Sequence, residues 1–384
     1  MQWRFTVIWV VFVPLSGLAQ EQKDLIDIGQ RVTHIRIKRP VKIKGKGVFF
    51  SMLPAGSDLS GAGNLLITTT TAAFYAGDSA SYLSTITLEP YATLQGRVGF
   101  ELKSNIWMKA NKWDILGDTR FLYYPQYTWG LGGNPASGDR MLIDYKYVRF
   151  YRTFLRRIKP YLFAGLGYLL DYQYDMDTQR LLEAFTHYKY GTGTSEESIS
   201  NGLSINFLYD GRKNPLNPLP GCYANIVYRI NPIGPTPWHS LYADLRKYIQ
   251  FSHTRQNMLA FWAYYWTVLG SHAPYLDLPS IGWDPYQQRS GRGFEQSRYR
   301  GKGLLYGEGE YRRDITADGL FGFVLFANLN SVTQPVTHQL AYFHPAGGGG
   351  LRIKFNKRSN TNVSIDYGAS RGYSGLYLNL GETF

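Results

Sequence analysis

From position 47 onward the chain alternates apolar and polar residues at period two, in segments of about ten residues separated by clusters of Gly, Asn, Asp, Ser and Pro. Within 351–356, Leu351, Ile353 and Phe355 fall on one face while Arg352, Lys354 and Asn356 fall on the other. The next segment repeats the scheme, with Val363, Ile365 and Tyr367 against Asn362, Ser364 and Asp366. Earlier, Val98, Phe100 and Leu102 oppose Arg97, Glu101 and Lys103, and Leu203, Ile205, Phe207 and Tyr209 oppose Ser204, Asn206 and Asp210. Successive strand side chains point to opposite faces, so a pattern this persistent confines the chain to sheet with one apolar and one polar face. About sixteen such segments run from Gly47–Leu53 to Gly375–Phe384, an even number.

Alternation alone fits a soluble sandwich as well as a membrane barrel. Composition separates them. Charged residues make up 18% of the chain and aromatic residues 16%, with 31 Tyr and a single Cys. Cys222 has no partner, which excludes a disulfide scaffold, and past the extreme N-terminus no apolar run reaches the roughly 18 residues of a membrane helix. The first 19 residues read as a secretory signal, with Arg4 before the apolar run Phe5 to Phe12 and a small-residue cleavage site at Gly17-Leu18-Ala19. Residues 20–46 form a short basic tail holding Arg31, Arg36, Lys38, Arg39, Lys42, Lys44 and Lys46, a large part of the net charge of +13. A terminus with so few apolar residues is expected to be solvated and loose, on the periplasmic or lumenal side; contact with anionic headgroups or an acidic partner is the other reading. Export, few charges, no disulfides and strands ending in Tyr, Trp or Phe point to an all-β, transmembrane antiparallel barrel over 47–384. An open sheet in lipid would leave its edge amides unpaired.

Two connections are long. Residues 175–196 contain a candidate helical piece at 179–187, and 270–302 is rich in aromatics and Arg, the composition of a loop that is functional or packed.

An ordered set of motifs resembles the BamA/TamA superfamily of outer-membrane assembly and translocation barrels, the bacterial surface antigen family. Arg292-Gly293-Phe294 sits inside the longest loop with five strands still to come, followed by Glu310-Tyr311-Arg312, Phe326-Ala327-Asn328, Gly348-Gly349-Gly350-Leu351-Arg352, Ile365-Asp366-Tyr367-Gly368 and Leu380-Gly381-Glu382-Thr383-Phe384. Upstream, Tyr124 to Gly132 is similar to the family, and Asp210-Gly211-Arg212-Lys213-Asn214 through Gly221 resembles its Asp-x-Arg-x-Asn turn. The resemblance covers nearly everything from Gly47 to Phe384. It implies that the 270–302 loop folds back into the lumen. The family usually carries periplasmic POTRA domains, and residues 20–46 are too short for one, so a barrel-only member is expected.

A guanidinium inside a barrel must be paired, and its planar fork suits a carboxylate. Arg292 is therefore expected to pair with Glu310, with Gly293 allowing close approach and Phe294 packing in the lumen. Where the family commonly has Asp, this chain has Asn328, which can accept a hydrogen bond but brings no charge; a weakened lock is the expectation. The final strand, with Leu376, Leu378, Leu380 and Phe384 on its lipid face, resembles an insertion signal ending in Phe384. In the family this strand pairs poorly with the first to form a lateral seam, and Gly381 would help a kink there.

No constellation points to catalysis. His34, His187, His239 and His253 lack metal-ligand spacing with one another or with Cys222, and the Gly347–Gly350 tract opens a strand rather than a phosphate loop. No enzyme activity and no cofactor are expected, and nucleic acid is a poor partner for an exported chain. The resemblance implies a barrel in the bacterial outer membrane assisting insertion or translocation of a protein or lipid client, its partners being outer-membrane lipid, an unfolded outer-membrane protein or lipid client, and accessory assembly subunits. The other expectation is a passive pore or structural barrel subunit.

Overall fold

The structure, a computed structural model, describes residues 22–34, 49–55, 67–76, 81–92, 96–178, 197–212, 217–218, 220–233, 237–252, 256–270, 273–286, 290–357 and 360–384. Residues 1–21, residues 35–48 and the candidate helix at 179–187 lie outside the described residues.

One sheet holds all the strands: β1 (Phe49–Ala55), β2 (Ile67–Phe74), β3 (Ser84–Ala92), β4 (Val98–Trp107), β5 (Trp113–Tyr123), β6 (Gln126–Thr128), β7 (Met141–Lys159), β8 (Leu162–Thr178), β9 (Ser198–Asp210), β10 (Gly221–Ile233), β11 (Trp238–Gln250), β12 (Asn257–Leu269), β13 (Gly303–Asp314), β14 (Phe321–Val332), β15 (His344–Asn356), β16 (Thr361–Ser370) and β17 (Tyr373–Leu380). Each pairs antiparallel with its neighbour in sequence, except that β5 and β6 both pair with β7. β6 is the continuation of β5 past Pro125, which has no amide to give the ladder. The wall is thus built of sixteen staves. It curls until β1 and β17 come within 8 Å at Cα, and among the described residues no ladder joins them.

The two faces are the reverse of a soluble sheet. On β9, Leu203, Ile205 and Phe207 are 60%, 43% and 51% exposed on the outer face, whereas Ser204 and Asn206 are buried inside. Outward Leu, Ile and Phe recur on β4, β7, β12 and β14, while Arg120, Arg149, Asp171, Asp244 and Arg246 are buried in the lumen. Burying such charges and exposing such hydrocarbon is stable where lipid is outside. The chain therefore has a membrane-spanning barrel fold. The interior is packed rather than open: Trp262, Tyr264 and Tyr306 lie with ring centroids 5.1–5.5 Å apart. Toward the end that carries both termini, Leu155, Phe163, Leu208 and Tyr223 form a second buried cluster.

Two terminal expectations are corrected. Residues 22–34 are not a loose tail but hold helix α1 (Leu25–Thr33). Asp24 caps it by accepting from the Asp27 amide at 2.8 Å, and the Asp27 carboxylate accepts from the Asp24 amide at 3.2 Å, a reciprocal capping box that fixes the first turn. The same cap ties the helix to the barrel, because Asp24 also accepts from the Lys357 amide at 2.9 Å while the Lys23 amide donates to the Asp318 carbonyl at 3.1 Å. At the other terminus the last strand does not run to Phe384. It ends at Leu380, where Gly381 adopts φ +91°, and Phe384 is buried in the lumen instead of facing lipid. Positive φ is open to Gly at little cost, and the turn it makes delivers a carboxylate, Glu382, to two arginines inside the barrel.

Candidate functional site in the lumen

The connection between β12 and β13 leaves the end of the barrel opposite the termini and folds down into the lumen. Arg300, buried, organises it from within by donating to the carbonyls of Tyr275 at 2.9 Å and Leu278 at 3.2 Å. Its flank is fastened to the β4–β8 wall. Arg149 donates to the Pro285 carbonyl at 2.8 Å, Arg97 and Tyr124 both donate to Gln296 Oε1 at 3.1 Å, and Arg140 pairs with Glu295 at 3.0 Å. Gln173 and Ser200 donate to the Asp277 carboxylate from β8 and β9. The roof is closed by the Gly132 amide donating to the Arg300 carbonyl at 2.7 Å, and by Tyr299 stacked on His344 with centroids 3.9 Å apart.

The tip meets the opposite wall. Arg292 is buried, with its guanidinium 3.7 Å from the Phe326 ring centroid. As expected it binds Glu310, but it also binds Glu308, and it donates to Asp366 Oδ2 at 2.5 Å. Glu308 and Glu310 are two apart on β13, so period two brings both into the lumen; Asp366 is on β16. The expected acceptor role of Asn328 is corrected: it does not accept from the guanidinium but donates from Nδ2 to the Arg292 carbonyl at 2.9 Å. Asp366 supplies the missing negative charge from two strands further on.

Gly293 sits at φ +90°, and a Cβ there would lie 3.0 Å from the Ala346 Cβ and from the Ala369 amide nitrogen. Its backbone is held from both sides, accepting from Ser370 Oγ at 2.6 Å and donating to the Tyr377 hydroxyl at 2.8 Å. Gly368 faces it, so that a Cβ on Gly368 would approach the Gly293 nitrogen to 2.9 Å. Phe294 is buried beside Tyr299, as the lumen packing required. The glycine tract on β15 serves the same site, since a Cβ on Gly350 would occupy the place of the Asp366 carboxylate.

The pairing continues into a closed ring. Asp366 also accepts from Arg352 at 2.5 Å; Arg352 donates to Glu382 at 2.7 Å; Glu382 lies 3.8 Å from Arg312; and Arg312 returns to Glu310 at 2.5 Å. Three arginines and three acids alternate around it, and Glu308 hangs from Arg292 as a fourth acid, accepting also from the Tyr306 hydroxyl. Charges buried this deeply persist only when paired and hydrogen-bonded. The loop tip and the C-terminal residues thus belong to one electrostatic unit. Phe384 completes it, packing on Trp262 at 5.2 Å and accepting from Arg312 through its carbonyl at 3.1 Å.

Sequence reasoning found Arg292, Gly293, Phe294 and Glu310 and missed Glu308, Asp366, Arg312, Arg352 and the inward role of Glu382. Acids and arginines on the polar register of successive strands were the available signal. The Asp210 turn is a separate element. Arg212 grips Asp210 with bonds of 2.9 and 2.8 Å, and Gly221 packs so closely that a Cβ would lie 2.6 Å from the Gly211 carbonyl. Asn214 lies outside the described residues.

No family model and no curated protein matches the chain. Solved structures do. BamA from Haemophilus ducreyi lacking POTRA domains 1–3 aligns with a TM-score of 0.57 at 13% identity, over 88% of this chain and 70% of that one. CdiB from Acinetobacter baumannii aligns with a TM-score of 0.56 at 12% identity, over 88% of this chain and 66% of that one. The fold is that of a BamA-type barrel.

Proposed function

We propose that the chain is an outer-membrane barrel that assists insertion or translocation of a protein or lipid client. The observation that carries this reading is the junction of β1 and β17, which approach without a ladder among the described residues while the last strand stops before Gly381 and turns inward. A barrel strand gains its stability from paired edges. A junction left open here is a place where a client strand or lipid can enter the wall sideways. The packed lumen speaks against the other reading, a passive pore, because the loop and its roof occupy the route that water and solute would take.

Crosslinking tests it. With Cys222→Ser as background, cysteines placed along 49–55 and 373–380 are oxidised in pairs, and assembly of outer-membrane proteins or lipid is followed in cells that depend on this chain. Loss of assembly on oxidation and recovery on reduction are expected. Undiminished assembly by the crosslinked barrel defeats the proposal, and a steady bilayer conductance unchanged by Arg292→Ala returns the reading to a pore.

A further inference from the structure

The outer wall of β5, β7 and β8 carries charges that neither the loop nor the C-terminus uses. On β7 the outward side chains run Phe150, Arg152, Phe154, Arg156, Ile158 toward the end that carries the termini; opposite them on β5 stand Thr119, Gly117, Ile115 and Trp113. Arg152 therefore faces the lipid side within an otherwise apolar stretch, where charge is costly. It lies over Gly117, where a Cβ would be 3.1 Å from Nη1. It donates to the Tyr151 carbonyl at 2.7 Å and to Thr119 Oγ1 at 2.8 Å, and stacks on Phe150 at 4.1 Å.

Beyond Arg152 the wall changes character toward the rim. Trp113, Tyr161 and Tyr209 are exposed, with Tyr161 against Tyr209 at 6.4 Å. Next come Lys109 and Lys112 on the turn before β5 and Arg156 and Lys159 at the end of β7, all exposed, the two segments joined by the Arg157 amide donating to the Lys112 carbonyl at 2.9 Å. Arg156 sits over the Trp113 ring at 5.9 Å. Of the acids nearby, Asp114 is buried away from the outer face and Asp210 is bonded to Arg212.

We propose that this arc binds an anionic phospholipid of the leaflet on the termini side, the rim cations taking its phosphate and Arg152 its glycerol-ester region. The order apolar, aromatic, cationic along one wall matches the depth profile of a leaflet, which an acidic protein would not require. The inference rests on the barrel spanning a bilayer, not on any client. To test it, the full chain is refolded into vesicles of phosphatidylethanolamine with or without phosphatidylglycerol, and retained lipid is counted by native mass spectrometry. Preferential retention of phosphatidylglycerol is expected. Lys112→Gln and Arg156→Gln should each reduce the preference about fivefold, Arg152→Gln should also reduce it, and Arg371→Gln at the opposite end should not. Equal retention of both lipids, or an equal loss with Arg371→Gln, overturns the site. Capture of a poly-glutamate peptide by the same cations without lipid preference assigns the arc to an acidic protein and also overturns it. Failure to insert into either vesicle overturns the membrane-barrel reading beneath it.

Discussion

Truncating Arg292 to Ala tests what holds the loop in the lumen. The guanidinium faces three carboxylates, but they do not depend on it equally. After its removal Glu310 keeps Arg312 at 2.5 Å and Asp366 keeps Arg352 at 2.5 Å, whereas Glu308 is left with the Tyr306 hydroxyl. Breaking a buried pair from one side costs about 3–5 kcal/mol, because it strands a desolvated charge. Most of that cost here belongs to Glu308. Arg292→Ala should therefore destabilise the barrel by about 3–5 kcal/mol, and adding Glu308→Gln should recover about 1–3 kcal/mol of it as coupling. Urea unfolding in vesicles, followed by tryptophan fluorescence, measures both. Loop position is read separately in a Cys222→Ser background: a thiol at Ser290→Cys, a buried position that accepts from Tyr264 at 3.0 Å, is shielded in the parent and labelled once Arg292 is lost. A cost below about 1 kcal/mol, additive double-variant energies, or unchanged labelling would refute the reasoning.

Four further outcomes follow from contacts elsewhere in the barrel. Gly368→Val places side-chain carbon where the Gly293 backbone lies, so it should expose the same Ser290→Cys thiol while all three acids and Arg292 remain in place; protection equal to the parent would count against the close approach. Gly381→Val opposes φ +91° at the terminal turn and should release Glu382 and Phe384, detected as faster hydrogen exchange over 381–384. Asp24→Ala removes the cap of α1, worth about 1 kcal/mol, and should raise exchange over 25–33 without unfolding the barrel. The helix contact should also yield to acid. Burial would push the Asp318 carboxyl up, but hydrogen bonds from Thr316 and the Leu320 amide and the Lys23 ammonium outweigh it and hold it below its ordinary value. That stabilisation is complete above about pH 3.9 and lost as pH falls through the lower, folded value, so the exchange protection of α1 should fade only in that acid range.

The wall was legible in the sequence because alternation at period two is a direct consequence of strand geometry, and residues such as Leu203 to Tyr209 declare their faces without reference to anything distant. The Arg292 tip was legible as a cation in need of a carboxylate. Its partner Asp366, 74 positions away, was not assigned: period two says that Asp366 points inward but not which inward group it meets across the lumen. Asn328 misled for the same reason, since a missing acid at one position was made good from another strand. The C-terminus was misread because alternation through Leu376, Leu378 and Leu380 continues formally to Phe384, and only the positive φ of Gly381 ends the strand early. Asp24 and Asp27, three apart before an apolar turn, were a readable capping box in a segment judged by its charge.

The ring of ion pairs couples the loop to the C-terminus, but not symmetrically. Withdrawing Glu382 leaves Arg352 with Asp366 and Arg312 with Glu310, each at 2.5 Å, so no cation is stranded, and Glu382 itself regains water. Withdrawing Arg292 strands Glu308 and also strips the Phe326 ring of its cation. The flank of the loop is bonded independently to Arg97, Tyr124 and Arg149 on the far wall. The C-terminal residues are fastened through the ring, the Asn362 side-chain amide donating to Glu382 at 2.8 Å, Ser364 donating to the Gly381 carbonyl at 3.1 Å, the Trp262 stack and the Arg312 bond to the Phe384 carbonyl. The cheaper motion is therefore release of the terminal residues beside the β1–β17 junction, with the loop in place as a fixed strut. Under increasing urea, exchange at 381–384 should precede labelling of the loop, and the reverse order would place the moving part in the lumen instead.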